Sequence, residues 1–392
     1  MNDEMAGQAQ LALGEPSRRL PVLEPLGTQS DIRYYNATAK GVLNGPETTG
    51  MGFWSINPYI GCAFGCAYCY ARYAHHYVAE RAVSGGVGGA AEALGTLPPW
   101  LAFERRIFVK RNAADVLRAQ LRVLLARQER SGRLGGIWAG EGIAIGTATD
   151  PYQPAERTYR ITRGILEVLA ELQGLSVGIT TKSPLITRDI DVLQRLAWRS
   201  SLTVHMSLIT LDRELARRIE PRAPTPQARI RAIERLAAAG VDVGINIMPV
   251  LPGITDAPEG LDALLQRAAQ AGASHVNVCA LRLRVTARRR YLPFIAAEFP
   301  ALAARYRAAY ASGPQMSERY REGLRRFVRE RCEAYGIHYG TPERAGPASD
   351  GTARAGRAWR GGGAGGGAAY PGGGDGTGCG GPRATQLALA LG

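Results

Sequence analysis

The stretch NPYIGCAFGCAYCYARYAHHY, Asn57 to Tyr77, places three cysteines, Cys62, Cys66 and Cys69, within eight residues and surrounds them with aromatic residues and two histidines. A predicted strand, GFWSINPY (52–59), runs directly into it. Thiols spaced in this way on one short loop bring their sulfurs together, which marks them as a metal-ligand set. A structural zinc site takes four protein ligands, usually as two separated pairs. No second CxxC pair follows, although His75 or His76 would complete a tetrahedron. A [4Fe–4S] cube takes one ligand per iron, so three cysteines leave one iron open to a small molecule.

Composition bounds the rest. The chain has 392 residues, more than one average domain, and fits a single α/β barrel of about 200 to 250 residues with extensions. With 45% hydrophobic residues it buries a large core and is globular. The formal net charge of +14 comes mostly from arginine, whose planar fork suits phosphate or carboxylate partners. The same charge also fits a composition biased toward arginine, alanine and glycine, so it names no substrate. The first residues, MNDEMAGQAQLALGEPSRRL, carry no basic start followed by an apolar core, and no apolar run reaches the roughly 18 residues of a membrane span. A cytoplasmic protein with no membrane partner is expected. In that reducing compartment, clustered cysteines act as metal ligands or redox groups rather than disulfides.

The pattern divides the chain into an N-terminal extension (1–45, partly disordered), a barrel (46–285), a C-terminal helical extension (286–345) and a glycine-rich disordered tail (346–392). Within the barrel, short β-rich runs alternate with amphipathic helical patterns, which predicts a parallel sheet of βα units. The further strands expected are RIFVK (106–110), GIAIGTA (142–148), LSVGITT (175–181), LTVHMSL (202–208), VDVGINIM (241–248) and HVNVCAL (275–281). Between them, ERTYRITRGILEVLAELQ reads as one helix, with Ile161, Ile165, Leu169 and Leu172 on one apolar stripe. Residues 84–98 read as a flexible insertion, and two helices are expected over 297–336. In such barrels the active site lies at the C-terminal ends of the strands.

The CxxxCxxC spacing, with Tyr68 directly before the last cysteine and the loop placed after the first barrel strand, resembles the radical S-adenosylmethionine (SAM) superfamily. The stretch CAYCYARY, with Tyr70 after the last cysteine, is similar to the spore photoproduct lyase and DNA repair photolyase-like branch, in an actinobacterial-type uncharacterised subgroup. GTATDPYQPAE, GITTKSPLITRDIDVLQRL, TVHMSLIT and VGINIMPVLPGITD follow the order of that branch. The resemblance covers roughly residues 35 to 340. It implies an α/β fold, a partial (βα)6-type radical SAM barrel with a C-terminal helical extension and disordered tails. It implies an enzyme whose [4Fe–4S] cluster, held by Cys62, Cys66 and Cys69, binds SAM at the open iron and cleaves it reductively to a 5′-deoxyadenosyl radical that abstracts hydrogen from a substrate. A reducing partner such as flavodoxin or ferredoxin is implied too.

Residue by residue, the resemblance places Tyr68, Thr149, Asp150, Lys182, Ser207 and Met248 at the cofactor: Lys182 near the SAM carboxylate, Thr149 and Ser207 as polar contacts, and Met248 near the adenine. Each also has an ordinary reading, Lys182 as a solvated loop charge and Thr149 with Asp150 as a cap on the helix starting near Pro154. Tyr70 matches a tyrosine on the lyase's radical-return path, and its ordinary reading is packing on the loop. The lyase's hydrogen-donating cysteine aligns with Thr147, whose O–H bond is too strong for that task, which puts the lyase reaction in doubt. Cys279 would be a donor from another strand, or else core filler. His75 hydrogen-bonds the cluster loop or substrate, and His76 faces solvent. Glu220 and Arg222 bind substrate or SAM, or pair with each other. The basic run LRLRVTARRR (281–290) reaches the barrel mouth, as a phosphate clamp or a solvated charge run.

Three functions follow: a radical SAM enzyme acting on nucleic acid, one modifying a peptide or small metabolite, and a non-catalytic zinc-stabilised nucleic-acid-binding protein. The polar strand-end segments TATD, TTKS and HMSL count against the third, because a zinc module has no use for polar residues around a barrel mouth.

Overall fold

The chain opens, in a computed structural model that describes residues 25–49, 52–83, 93–131, 136–138 and 141–342, with a hairpin of β1 (Pro25–Gln29) and β2 (Ile32–Asn36). A short strand, β3 (Leu43–Asn44), and two more, β4 (Trp54–Ile56) and β5 (Tyr59–Ile60), lead into the cysteine loop and helix α1 (Ala74–Val83). The remaining strands are β6 (Arg106–Val109), β7 (Ile143–Ile145), β8 (Ser176–Thr181), β9 (Ser201–Ser207), β10 (Val243–Val250), β11 (His275–Ala280) and β12 (His338–Tyr339).

Eight strands form one sheet in the order β12-β11-β10-β9-β8-β7-β4-β3. All neighbours from β4 to β12 run parallel, and only β3 is antiparallel. Helices cover the strands, so these strands are buried on both faces and read as nearly continuous apolar runs, such as the Val177–Ile179 and Ile245–Ile247 segments. Among the described residues the sheet ends at β3 and β12, giving the expected partial barrel with the helical C-terminal part packed beside it.

Three local expectations change. GFWSINPY is two strands, because Pro58 has no N–H for a ladder and the chain turns there. Beyond that turn, β5 pairs with β6, so RIFVK belongs to a second, four-stranded sheet, β1-β2-β6-β5, and not to the barrel. Strands β1 and β2 of that sheet, and β3, lie in the stretch read as an extension, so residues 25–44 are part of the folded body.

The helix expected from Glu156 onward is broken at Arg160, which has φ +50°. The break separates α2 (Ala155–Tyr159) from α3 (Ile161–Ala170), and α3 keeps the buried stripe of Ile161, Ile165 and Leu169. The buried Glu156 carboxylate caps the second helix by accepting from Thr162 N at 2.8 Å and Arg163 N at 3.1 Å. Later come α4 (Pro226–Ala238), α5 (Val285–Glu298) and α6 (Glu318–Ala334). The basic run is thus half helix: Arg288 donates to the Tyr310 carbonyl at 2.9 Å and serves the fold. Residues 84–92 of the insertion, the first 24 residues and the glycine-rich tail lie outside the described residues.

Candidate functional site

The cysteine loop is held from below by backbone bonds and by two arginines. Cys62 N donates to the Phe103 carbonyl at 2.9 Å, Ala63 N to Gln153 Oε1 at 3.0 Å and Ala67 N to the Ile219 carbonyl at 3.0 Å. Arg72, fully buried, donates to the carbonyls of Trp100 at 2.7 Å and Cys66 at 2.8 Å and pairs with buried Glu104 at 2.6 Å. Arg222 reaches the Ala63 and Glu104 carbonyls from the other side. Glycine is required at two points of the loop. Gly61 has φ +89°, and a Cβ there would lie 2.8 Å from the Phe103 carbonyl oxygen; Gly65 has φ +67°, and a Cβ there would lie 2.5 Å from Arg222 Nη2.

Cys62, Cys66 and Cys69 share the wall of a cavity of about 190 Å³ at the C-terminal ends of the barrel strands. Among the described residues, no three His, Cys, Asp or Glu side chains gather closely enough to hold a single ion. Neither histidine is aimed at the thiols. His75 donates from Nε2 to the Arg106 carbonyl at 2.8 Å and packs against Phe103 and Phe108, while His76 lies on the surface beside Glu80. Burial pushes all three thiols up, Cys66 to about 12, with Lys182 pulling Cys66 and Cys69 the other way. The donor set fits an iron–sulfur cluster: three soft thiols on one wall, no fourth protein ligand beside them among the described residues, and open space beyond.

That space is lined by the residues singled out from the sequence. Tyr68, Tyr70, Thr149, Asp150, Lys182, Ser207, Met248 and Cys279 all face it, as does Thr147. Their roles differ. Thr149 donates to the Gly61 carbonyl and accepts from Gln153 Nε2 at 3.0 Å, so it pins the loop's base. Asp150 accepts from Thr181 Oγ1 at 2.6 Å, Tyr152 N at 2.9 Å and Lys182 N at 2.8 Å. Both side chains are thus engaged with the protein, and Asp150 sets the backbone from which Lys182 projects.

Tyr68 donates to Glu220, which also pairs with buried Arg229 and lies 3.9 Å from Lys182 Nζ. Burial acts against the Lys182 charge, but Cys66 and Glu220 outweigh it and the ammonium is held above its ordinary range. Lys182 also stands 5.7 Å from the Tyr68 ring centroid, over its face. Glu220 therefore pairs with Arg229 and not with Arg222, because Arg222 is spent on the loop carbonyls.

On the far wall, the Ser207 hydroxyl has no partner among the described residues. Asn246 accepts from Asn277 at 3.0 Å and its own amide nitrogen has none there. Asn246 and Asn277 were missed in the sequence. The signal was their register: Gly244, Asn246 and Met248 alternate with Ile245 and Ile247, so a polar residue interrupts an apolar strand on the inward face. Thr147 exchanges hydrogen bonds with Asn57 through its hydroxyl, at 3.0 and 3.4 Å, and its carbonyl accepts from Tyr70 OH. Cys279 is pushed up to about 12 by burial.

Comparison with known proteins agrees with this geometry. A family profile described as the radical SAM superfamily matches residues 56–265. The chain belongs to the radical SAM superfamily. It is an enzyme that uses SAM. An uncharacterized protein of Mycobacterium tuberculosis is 35% identical over 319 residues, covering 79% of this chain and 85% of the relative. Another from Methanocaldococcus jannaschii is 27% identical over 227 residues, covering 58% and 71%. Among solved structures, a spore photoproduct lyase variant superposes with TM-score 0.54 at 16% identity over 78% of this chain and 81% of that one. The lyase complexed with a dinucleoside spore photoproduct gives 0.52 at 15% identity over the same shares. These likenesses show a fold shared with the spore photoproduct lyase structures. No helix among the described residues is long and apolar enough to cross a membrane.

Proposed function

We propose that Cys62, Cys66 and Cys69 hold a [4Fe–4S] cluster, that SAM fills the adjoining cavity, and that the enzyme abstracts a hydrogen atom from a nucleic acid. Held by Cys62, Cys66 and Cys69 and reduced by a partner such as flavodoxin or ferredoxin, such a cluster would supply the electron for reductive cleavage of SAM. The observation that carries this reading is the cavity onto which three thiols, the cations Lys182 and Arg282, and the polar groups of Ser207 and Asn246 all open.

The chain's own residues divide the work. Lys182, kept charged by Glu220, attracts the SAM carboxylate, and Ser207 and Asn246 offer a hydroxyl and an amide to its polar groups. Met248 and Pro249 give the apolar wall for the adenine. Tyr68 closes the floor through Glu220, and Thr149 and Asp150 act by holding the walls. Tyr70 and Cys279 line the same cavity and are the groups placed to relay or donate a hydrogen atom there; Thr147 has no weak X–H bond to offer.

Anaerobically reconstituted protein should be brown, bind about four irons and, once reduced, form 5′-deoxyadenosine from SAM. A colourless protein with one zinc would overturn the reading, as would undiminished SAM cleavage by Cys66→Ala. Deuterium transfer from labelled nucleic acid into 5′-deoxyadenosine identifies the substrate class, and transfer only from peptides or metabolites would replace it.

A further inference from the structure

We propose that Tyr73 and Tyr77, flanked by Arg284, form a stacking platform that receives unpaired nucleobases at the cavity mouth. This rests on the nucleic-acid reading above and adds to it the form of the substrate: a single strand, or bases drawn out of a duplex.

Among the described residues six large apolar side chains are exposed: Tyr70, Tyr73, Tyr77, Val123, Trp198 and Val285. Four of the six gather at one place. Tyr70, Tyr73 and Tyr77 fall three and four residues apart, which sets them along one side of the helical segment that leaves the cysteine loop. Tyr70 lines the cavity, so the stripe begins at its wall and runs outward, with Tyr73 and Tyr77 edge to face at 6.2 Å between centroids. Val285 opens α5, which packs against the same segment. A clustered apolar patch beside a cavity marks a binding surface, whereas scattered exposed side chains need no explanation.

The charges choose the occupant. Arg284 is exposed, its field reaches the Tyr73 hydroxyl, and it has no ion-pair partner among the described residues. Arg282 lines the cavity, and after burial the largest influence on it is repulsion from Arg284. Arg284 thus sets positive charge beside the exposed rings. Nucleic acid supplies both complements, since every base has a face for stacking and every linkage a phosphate for arginine. Bases inside a duplex already stack on their neighbours, so only unpaired or extruded bases can reach the rings.

The test measures binding of a single-stranded oligonucleotide, the matching duplex and an abasic strand of equal length by fluorescence anisotropy, with SAM cleavage measured on the wild-type protein. The single strand should bind tightest. Tyr73→Leu and Tyr77→Leu should each weaken it by about tenfold, while Tyr73→Phe and Tyr77→Phe stay within about twofold because the flat ring remains. Arg284→Glu should weaken all three ligands alike and lower the salt dependence. Equal affinity for base-bearing and abasic strands, or leucine variants that bind as the wild type does, would overturn the platform alone. Wild-type protein that cleaves SAM yet binds no nucleic acid would remove the platform and the nucleic-acid reading together.

Discussion

Replacing Arg72 with methionine should destabilise the protein by about 3–5 kcal/mol, the usual cost of breaking a buried ion pair by removing one partner. The magnitude follows from what Arg72 touches. Its guanidinium is fully buried and donates to two carbonyls, at 2.7 and 2.8 Å, and to Glu104 at 2.6 Å. Methionine fills similar apolar volume but offers no donor. Two bonds to a charged donor are lost, worth about 1.5–3 kcal/mol each before relaxation. Glu104 would then be a buried carboxylate whose nearest remaining cation, Arg290, stands 4.0 Å away. Urea unfolding followed by tryptophan fluorescence and far-UV circular dichroism measures the cost. The double variant Arg72→Met/Glu104→Leu should recover about 1–3 kcal/mol relative to the sum of the two single changes, because it removes the orphaned charge. A single-variant cost below about 1 kcal/mol, or strict additivity in the cycle, would refute the reasoning.

Three further outcomes are expected. Burial raises the Glu220 carboxyl, but Arg229, Lys182 and the bonds from Tyr68 and Arg229 outweigh it and leave it below its ordinary value; its contribution to stability is full above the unfolded carboxylate range and lost as pH falls through the folded one. Glu220→Gln should therefore flatten the acid limb of the stability–pH curve, and an unchanged limb would count against the pairing. Burial lowers His75 to about 4 from 6.5, so the unfolded chain binds the extra proton between those values and roughly 3 kcal/mol of stability should be lost on acidification across that window, a slope that His75→Phe removes in the same titration. Arg160→Gly should raise stability by about 0.5–1 kcal/mol in urea unfolding by relieving φ +50°, and Arg160→Val should lower it.

The barrel was legible because parallel strands buried on both faces leave apolar runs that helical stripes punctuate, and β7 to β11 lie where those runs predicted. The cysteine loop was legible because ligand spacing is local. What escaped was pairing. RIFVK carries the same apolar signal in either sheet, and only the turn at Pro58 sends β5 to it. The helix break at Arg160 was hidden because Glu156, which caps the second helix, looks like any helix-forming glutamate in sequence. The Glu220–Arg229 pair spans nine residues and two helices, and the loop's hold on Arg222 made the nearer cation unavailable. Asn246 and Asn277 meet across strands, a contact that no one-dimensional pattern records.

The bond between Asn277 and Thr341 bears on where the chain can be shortened. Asn277 lines the cavity and donates to Thr341 Oγ1 at 3.0 Å, while Gly340 N donates to the Val276 carbonyl at 2.8 Å. The last described turn is therefore a brace for the cavity wall and not a remnant of the glycine-rich tail. A shortened protein that stops before β12 would lose that brace, freeing Asn277 to turn away from Asn246. One that stops just after Thr341 would keep the wall intact, and the difference between the two lengths would appear first in SAM affinity.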